Sequence, residues 1–246
     1  MSNPRFYTPQ TLELGLITPL PSNAANHASR ALRLTVGDDL TLFNGDSYDY
    51  LCELVTVTKS TVTAQVMSIH AVKNESPLNI TLLQAISSGE RMDYTIQKAV
   101  ELGVNTIQPI NSQRSVVKLT GDRAEKRQAH WQNIVISACE QSGRATVPQV
   151  NNAMTLANWL SQNPASTNAS RITLSPTATQ TLQDLALPTG EIYLLIGAEG
   201  GLTQAEIELA STQGFAAVQL GKRILRTETA ALAAVAAMQI IWGDFK

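Results

Sequence analysis

The sequence predicts an α/β protein in two parts, a small antiparallel β unit followed by a larger unit in which strands alternate with helices. Residues 30–72 alternate apolar and polar side chains with period two, as in Asp39-Leu40-Thr41-Leu42-Phe43 and Thr61-Val62-Thr63-Ala64-Gln65-Val66. From residue 78 onward, short apolar runs alternate with helical stretches, the order that builds a mostly parallel sheet covered by helices. The pattern changes at Asn74-Glu75-Ser76-Pro77, which places the boundary between domains 1–74 and 75–246.

The elements follow in order. Turn signals at Gly37-Asp38 and Asn44-Gly45-Asp46 divide the first part into short strands with one buried face, a β unit of barrel type. In the second part, 78–86 reads as a buried strand, 91–102 as an amphipathic helix stopped at Gly103, and 106–110 as a strand, which together make a βαβ unit. A longer helix spans about 122–141 and ends at Gly143, and 156–160 marks a short one. Residues 161–170 form a polar surface loop, and strands follow at 172–174, 192–196 and 217–220. Thr203 opens one further helix, and an alanine-rich apolar helix runs to about Trp242.

Composition narrows the class. With 246 residues, 43% apolar and 15% charged, the chain reads as soluble and globular and can bury a core. Cys52 and Cys139 lack disulfide or zinc spacing, which fits a reducing cytoplasm. No apolar run is long enough to span a bilayer and no targeting segment is evident, so neither membrane insertion nor secretion is expected. His27, His70 and His130 have no partner at metal spacing, and no metal is expected.

A net charge of −2 argues against binding nucleic acid by bulk electrostatics. The distribution is more informative, because residues 82–147 carry eight Lys/Arg against six Asp/Glu, whereas acids exceed bases on both sides. A local patch there can contact phosphates while the remaining surface repels them. Arg91, Arg114, Lys118 and Arg144 belong to that stretch, and Arg5-Phe6-Tyr7, Arg30 and Arg33 add cations and aromatics suited to holding phosphates and stacking bases.

Two junctions carry the chemistry. The apolar strand 192–196 ends in Gly197-Ala198-Glu199-Gly200-Gly201, which lacks both the dinucleotide fingerprint and the Gly-Lys-Ser/Thr ending of an NTPase phosphate loop. Its adjacent glycines permit close backbone approach to a ligand. The second junction, Leu220-Gly-Lys-Arg-Ile-Leu-Arg-Thr-Glu-Thr-Ala230, is a basic turn at a helix start, with Thr227, Glu228 and Thr229 as capping candidates. Such a place suits an anionic or polar ligand, and two such junctions suggest one pocket. Arg223 and Arg226 can point into it as planar forks, while Glu228 is an alternative, purely structural partner for Arg226.

At these residues the chain resembles the RsmE family of 16S ribosomal RNA uridine-N3 methyltransferases, in the SPOUT superfamily. The resemblance spans nearly the full length and rests on 88–103, 113–118, His130-Trp131, 137–144, the glycine loop and 220–230. Ala198 is a departure, since the family usually has Gly-Pro-Glu-Gly-Gly. The resemblance implies an N-terminal PUA-like β-barrel that binds RNA, a C-terminal SPOUT domain with a deep trefoil knot, and a homodimer. It implies methylation of N3 of a uridine in small-subunit ribosomal RNA, with S-adenosylmethionine as cofactor, in the cytoplasm and within the small ribosomal subunit. The implied cofactor pocket comprises Leu174, Ile196, Gly197, Glu199, Gly200, Gly201, Leu220, Gly221, Ile224, Leu225, Thr227 and Thr229.

Uridine N3 carries a proton between two carbonyls, so methylation spreads anionic charge onto oxygen, and a preorganised cation lowers that barrier. Arg226 is the expected stabilising group, with Glu199 as base or cofactor contact. Two other readings are a non-catalytic RNA-binding ribosome-assembly factor, against which the intact 226–230 run argues, and a SPOUT methyltransferase acting on tRNA or a ribose 2′-hydroxyl.

Overall fold

The computed structural model describes residues 3–245. The chain divides into two compact units, one of residues 1–75 with 139–147 and the other of 76–138 with 148–246. The return of 139–147 to the first unit has no counterpart in a single division at residue 74.

The first unit contains β1 (Arg5–Tyr7), β2 (Ile17–Pro19), a short helix α1 (Ser22–Asn26) continued by a π-helical turn at His27–Ala31, and β3 (Asp39–Phe43), β4 (Tyr48–Val57) and β5 (Val62–Ala71). The five strands pair in the order β1-β3-β4-β5-β2. The expected period-two alternation is there, as in β4, where Tyr50, Cys52 and Leu54 are buried. The sheet is not wholly antiparallel, however, because β1 lies parallel to β3. Strands of three residues such as β1 and β2 are too short to leave a periodic signal. Leu40, Leu42, Cys52, Leu54, Ala64 and Val66 centre the core, and burial pushes the Cys52 thiol up to about 11.

Residues 139–147 complete this unit with polar contacts. Arg144 is 4% exposed, and its guanidinium grips the Glu75 carboxylate through Nε and Nη2. Arg5 is ion-paired with Asp49, donates to the Arg144 carbonyl and stacks over Phe43, 4.9 Å from the ring centroid. The backbone N–H of Tyr7 donates to Glu140 Oε1 at 3.0 Å. Cys139 is fully buried and its thiol is pushed up to about 12, so it packs and does not react.

The second unit contains β6 (Asn79–Ala85), α2 (Glu90–Glu101), β7 (Thr106–Ile110), α3 (Gly121–Ser142, whose last four residues belong to the first unit), β8 (Gln149–Val150), α4 (Leu156–Gln162), β9 (Ala169–Leu174), β10 (Glu191–Ile196), α5 (Gln204–Thr212), β11 (Ala216–Val218) and α6 (Thr227–Ile241). Every strand pair is parallel, in the order β11-β9-β10-β6-β7-β8. The central strands β6 and β10 are buried on both faces, as parallel strands with helical cover must be. The polar loop is shorter than the sequence suggests, because α4 runs on to Gln162 and β9 starts at Ala169.

Leu83, Ile110, Leu156, Trp159, Leu160, Leu195, Ala210 and Phe215 form one core cluster. Beside it, Arg171 on β9 is 5% exposed, with its guanidinium 5.5–5.6 Å from the ring centroids of Trp159, Tyr193 and Phe215. It donates to the carbonyls of Asn163, Pro164 and Gln213, which lead into β9 and β11.

Helices α2 and α6 pack together. The apolar stripe of α2, Met92, Ile96, Ala99 and Val100, is buried, as are Ala231, Ala234, Val235 and Met238 of α6. Gln239, with no exposed surface, bolts α6 to the turn after α2 by donating to the Leu102 carbonyl and accepting from Ser76 Oγ, both at 2.8 Å. Gln239→Leu strands both partners and should lower unfolding stability by about 1–3 kcal/mol, read as a shifted urea midpoint at unchanged m-value.

Candidate active site

Parallel strands end on one edge of their sheet, so the loops that leave β9, β10 and β11 meet there. Those loops, with Arg91 near the start of α2 and the first turn of α6, enclose a cavity of about 670 Å³. Leu174, Ile196, Leu220 and Leu225 supply apolar wall, and Gly197, Gly200, Gly201 and Gly221 supply bare backbone. Ile224 also lines the cavity although it is 88% exposed.

Gly197 tolerates no side chain, since a Cβ there would lie 2.8 Å from the carbonyl carbon of Gly201. The loop folds back on itself at that point, with Gly201 N–H donating to the Ala198 carbonyl at 2.8 Å and Gly201 at φ +70°.

Thr227 does not cap its own helix. The N-cap of α6 is Arg226, whose side chain makes no capping hydrogen bond. The Thr227 hydroxyl instead donates to the Gly197 carbonyl at 2.6 Å and accepts from Gln84 Nε2 at 2.9 Å, joining α6 to the ends of β10 and β6. Thr229 is neither a cap nor a cavity residue: it is exposed, because its place in the helical turn points it away from the face formed by Thr227, Glu228 and Ala230. Arg226 and Glu228 both line the cavity but form no ion pair with each other. Glu228 accepts no hydrogen bond among the described residues, and its Oε2 is buried.

Glu199 is engaged through one carboxylate oxygen. Its Oε1 accepts from Ser88 N at 2.8 Å, from Ser88 Oγ at 2.9 Å and from Arg91 Nη1 at 2.9 Å. Burial alone would raise its carboxyl, but the hydrogen bonds from backbone N–H groups, Ser88 Oγ and Arg91 outweigh it and hold Glu199 below the ordinary carboxylate value. That makes Glu199 a tether of the glycine loop to the β6–α2 turn and a weak base. Arg114 braces the loop from another side, donating to the carbonyls of Gly200 and Leu202 at 2.8 and 3.3 Å. Buried Glu206 closes a capping box with Thr203 and accepts from Gln113 N, tying α5 to the segment that carries Arg114.

Of the residues expected to contact RNA, Arg91 and Arg114 are brought to the glycine loop. Lys118, Arg30 and Arg33 are exposed and make no ion pair among the described residues. Arg144 and Arg5 are corrected to structural roles in the first unit: the first is buried against Glu75 and the second is held by Asp49 and the Arg144 carbonyl, leaving neither guanidinium open to a phosphate. Arg223 lines the cavity as expected, whereas sequence reasoning passed over Ser88, Gln84 and Pro176 as parts or supports of the site. Ser88 had a usable signal, since it lies in the short loop after a parallel strand. Among the described residues, no group of three His, Cys, Asp or Glu side chains is placed to hold a metal.

A family model described as an RNA methyltransferase domain matches residues 74–239, and one described as an RNA methyltransferase PUA domain matches 20–67. The chain is 37% identical over 241 residues to the ribosomal RNA small subunit methyltransferase E of Buchnera aphidicola subsp. Schizaphis graminum, covering 98% of this chain and 97% of that one. To the protein of the same name from Bacillus subtilis it is 31% identical over 248 residues, covering 96% of each. Among solved structures, it matches the Neisseria gonorrhoeae ribosomal RNA small subunit methyltransferase E bound to S-adenosyl methionine with a TM-score of 0.93 and 46% identity, covering 100% of both chains. A methyltransferase from Legionella pneumophila in complex with the bound cofactor SAM matches at a TM-score of 0.95 and 37% identity, again over 100% of both.

Thr227→Val keeps the side-chain shape but removes the hydroxyl, leaving the Gly197 carbonyl without its donor, and should cost about 1–3 kcal/mol in urea unfolding. Because the folded carboxyl of Glu199 lies below its unfolded value, its contribution to stability is complete above about pH 4.3 and is lost as pH falls through the folded value. Unfolding curves of Glu199→Gln and the parent should therefore differ at neutral pH and converge in acid.

Proposed function

We propose, from the premise that this chain belongs to the ribosomal RNA small subunit methyltransferase E family, that it methylates N3 of one uridine in 16S ribosomal RNA with S-adenosylmethionine as methyl donor. The supporting observation is the cavity at the ends of β9, β10 and β11, with the exposed Arg226 beside apolar walls and bare glycine backbone.

The residues present fit the cofactor. The cavity has the size of a site for a ligand of that bulk. The loop from Gly197 to Gly201 lines the cavity with bare backbone, and the charged lining combines arginines with two carboxylates, as a ligand carrying both signs of charge requires. When bound, the cofactor supplies a methyl group already activated on a sulfonium.

The chain's own residues then do the remaining work. Leu174, Ile196, Leu220 and Leu225 line the cavity and would exclude water from the cofactor's apolar parts, and the backbone of 197–201 and 220–225 would meet its polar ones. Thr227 sets where α6 begins and so aims Arg226. Arg226 donates to a uracil carbonyl, where negative charge gathers once N3 has lost its proton. Glu199 holds the loop in shape through Ser88 and Arg91.

N3 lies on the pairing edge of uracil, so the uridine enters unpaired or extruded. Lys118, Arg30 and Arg33 are the proposed phosphate contacts, which position RNA without reading its sequence. The same reading includes a homodimer acting on the small ribosomal subunit in the cytoplasm, and a chain threaded into a trefoil knot around the cofactor loops.

An N3 methyl blocks base pairing and stops reverse transcriptase. Primer extension on 16S RNA should therefore show the stop in the parent strain and lose it in a strain lacking this gene; a stop that persists refutes the reading. Arg226→Ala should keep cofactor affinity by calorimetry while lowering turnover about 10²–10³-fold. Parallel loss of affinity and turnover would remove the assigned role.

A further inference from the structure

Two carboxylates line the cavity, and they differ in what they already hold. Glu199 accepts three hydrogen bonds through one oxygen and lies beside the Arg91 guanidinium. Glu228 accepts none and pairs with no cation among the described residues, yet its Oε2 is shut off from solvent. A buried carboxylate oxygen without a donor is destabilising, so its persistence at a cavity wall points to a donor that arrives with a ligand. The other charged groups lining the cavity are Arg91 from α2, Glu199 from the loop after β10, and Arg223 and Arg226 from the loop after β11.

The pairing edge of uracil presents an acceptor, an N–H donor and a second acceptor. Its complement is an acceptor flanked by donors. Glu228 and Arg226, two residues apart and both on the cavity wall, supply an unpartnered acceptor and an exposed guanidinium.

We propose that Glu228 is the catalytic base, accepting the N3 proton of the uridine held against Arg226. This rests on the uridine-N3 reading above. The N3–H bond breaks, its electron pair stays on N3 and spreads to the two carbonyl oxygens, and the proton passes to Glu228 Oε2. The N3–CH₃ bond then forms as the methyl–sulfur bond breaks, with sulfur keeping that pair, and S-adenosylhomocysteine departs. Glu228 returns its proton to water.

The test uses Glu228→Gln, which keeps shape but takes up no proton, and Glu228→Asp, which keeps the carboxylate. Cofactor affinity is measured by calorimetry, folding by thermal melting, and single-turnover methylation of small ribosomal subunits from a strain lacking the gene across pH 6 to 9. Glu228→Gln should bind S-adenosylmethionine within about threefold of the parent, melt normally and methylate at least about 10²-fold more slowly at neutral pH. Its rate should climb with pH where the parent's has levelled, and Glu228→Asp should regain the parent's pH profile at reduced rate.

Unchanged single-turnover rate and pH profile in Glu228→Gln overturn the proposal. So does loss of cofactor affinity that matches the loss of rate, which makes the carboxylate a partner of the cofactor's cationic end. If Glu228→Gln melts early, the Glu228→Asp profile decides: a shape unlike the parent's overturns the assignment. Failure of the parent protein to produce the N3 stop refutes the function itself, whereas a normal stop with an unaffected Glu228→Gln refutes only the role of Glu228.

Discussion

The site depends on one buried hydroxyl. Thr227 Oγ accepts from Gln84 at the end of β6 and donates to the Gly197 carbonyl at the end of β10, and it belongs to the first turn of α6. Two central strands and the last helix are thereby fixed at a single atom. Because Arg226 has no side-chain cap to set where α6 begins, this hydroxyl does so, and with it the directions of Arg226 and Glu228. A hydroxyl suits the position because one atom can donate once and accept once.

Around that point the loops are held by acids and arginines of complementary function. Glu199 ties the glycine loop to the β6–α2 turn, Glu206 ties α5 to the segment 111–119, and Arg114 on that segment reaches back to the glycine-loop carbonyls. Gly200 sits against the Arg114 stem, where an added Cβ would come within 3.3 Å. Arg91 and Arg114, first read as part of an RNA-contacting face, therefore shape the glycine loop.

Much of this was legible in the sequence. The strands and helices of the second unit could be placed because buried parallel strands leave unbroken apolar runs and the helices end at glycines such as Gly103 and Gly143. The glycine loop and the 220–230 run could be paired because both follow strands of one sheet. What escaped was set by distant partners. Arg144 looks like any surface cation until Glu75, sixty-nine residues away, is seen beside it, and Arg5 waits on Asp49 in the same way. The capping role expected of Thr227 gave way to tertiary contacts with Gln84 and Gly197, which no local pattern encodes. Three-residue strands such as β1 carry no period at all, so its parallel pairing with β3 was invisible.

Arg171 has a consequence for how the sheet comes apart. Its guanidinium is held by three aromatic rings and three backbone carbonyls at the ends where β9 and β11 begin, and carbonyls do not titrate. At the opposite ends of the strands, the loop after β10 is held by the Glu199 carboxylate, whose hydrogen bonds weaken as acid protonates it. The domain thus pairs an acid-inert base with an acid-labile mouth: falling pH weakens the hold on the glycine loop and leaves the contacts of the aromatic cage unchanged.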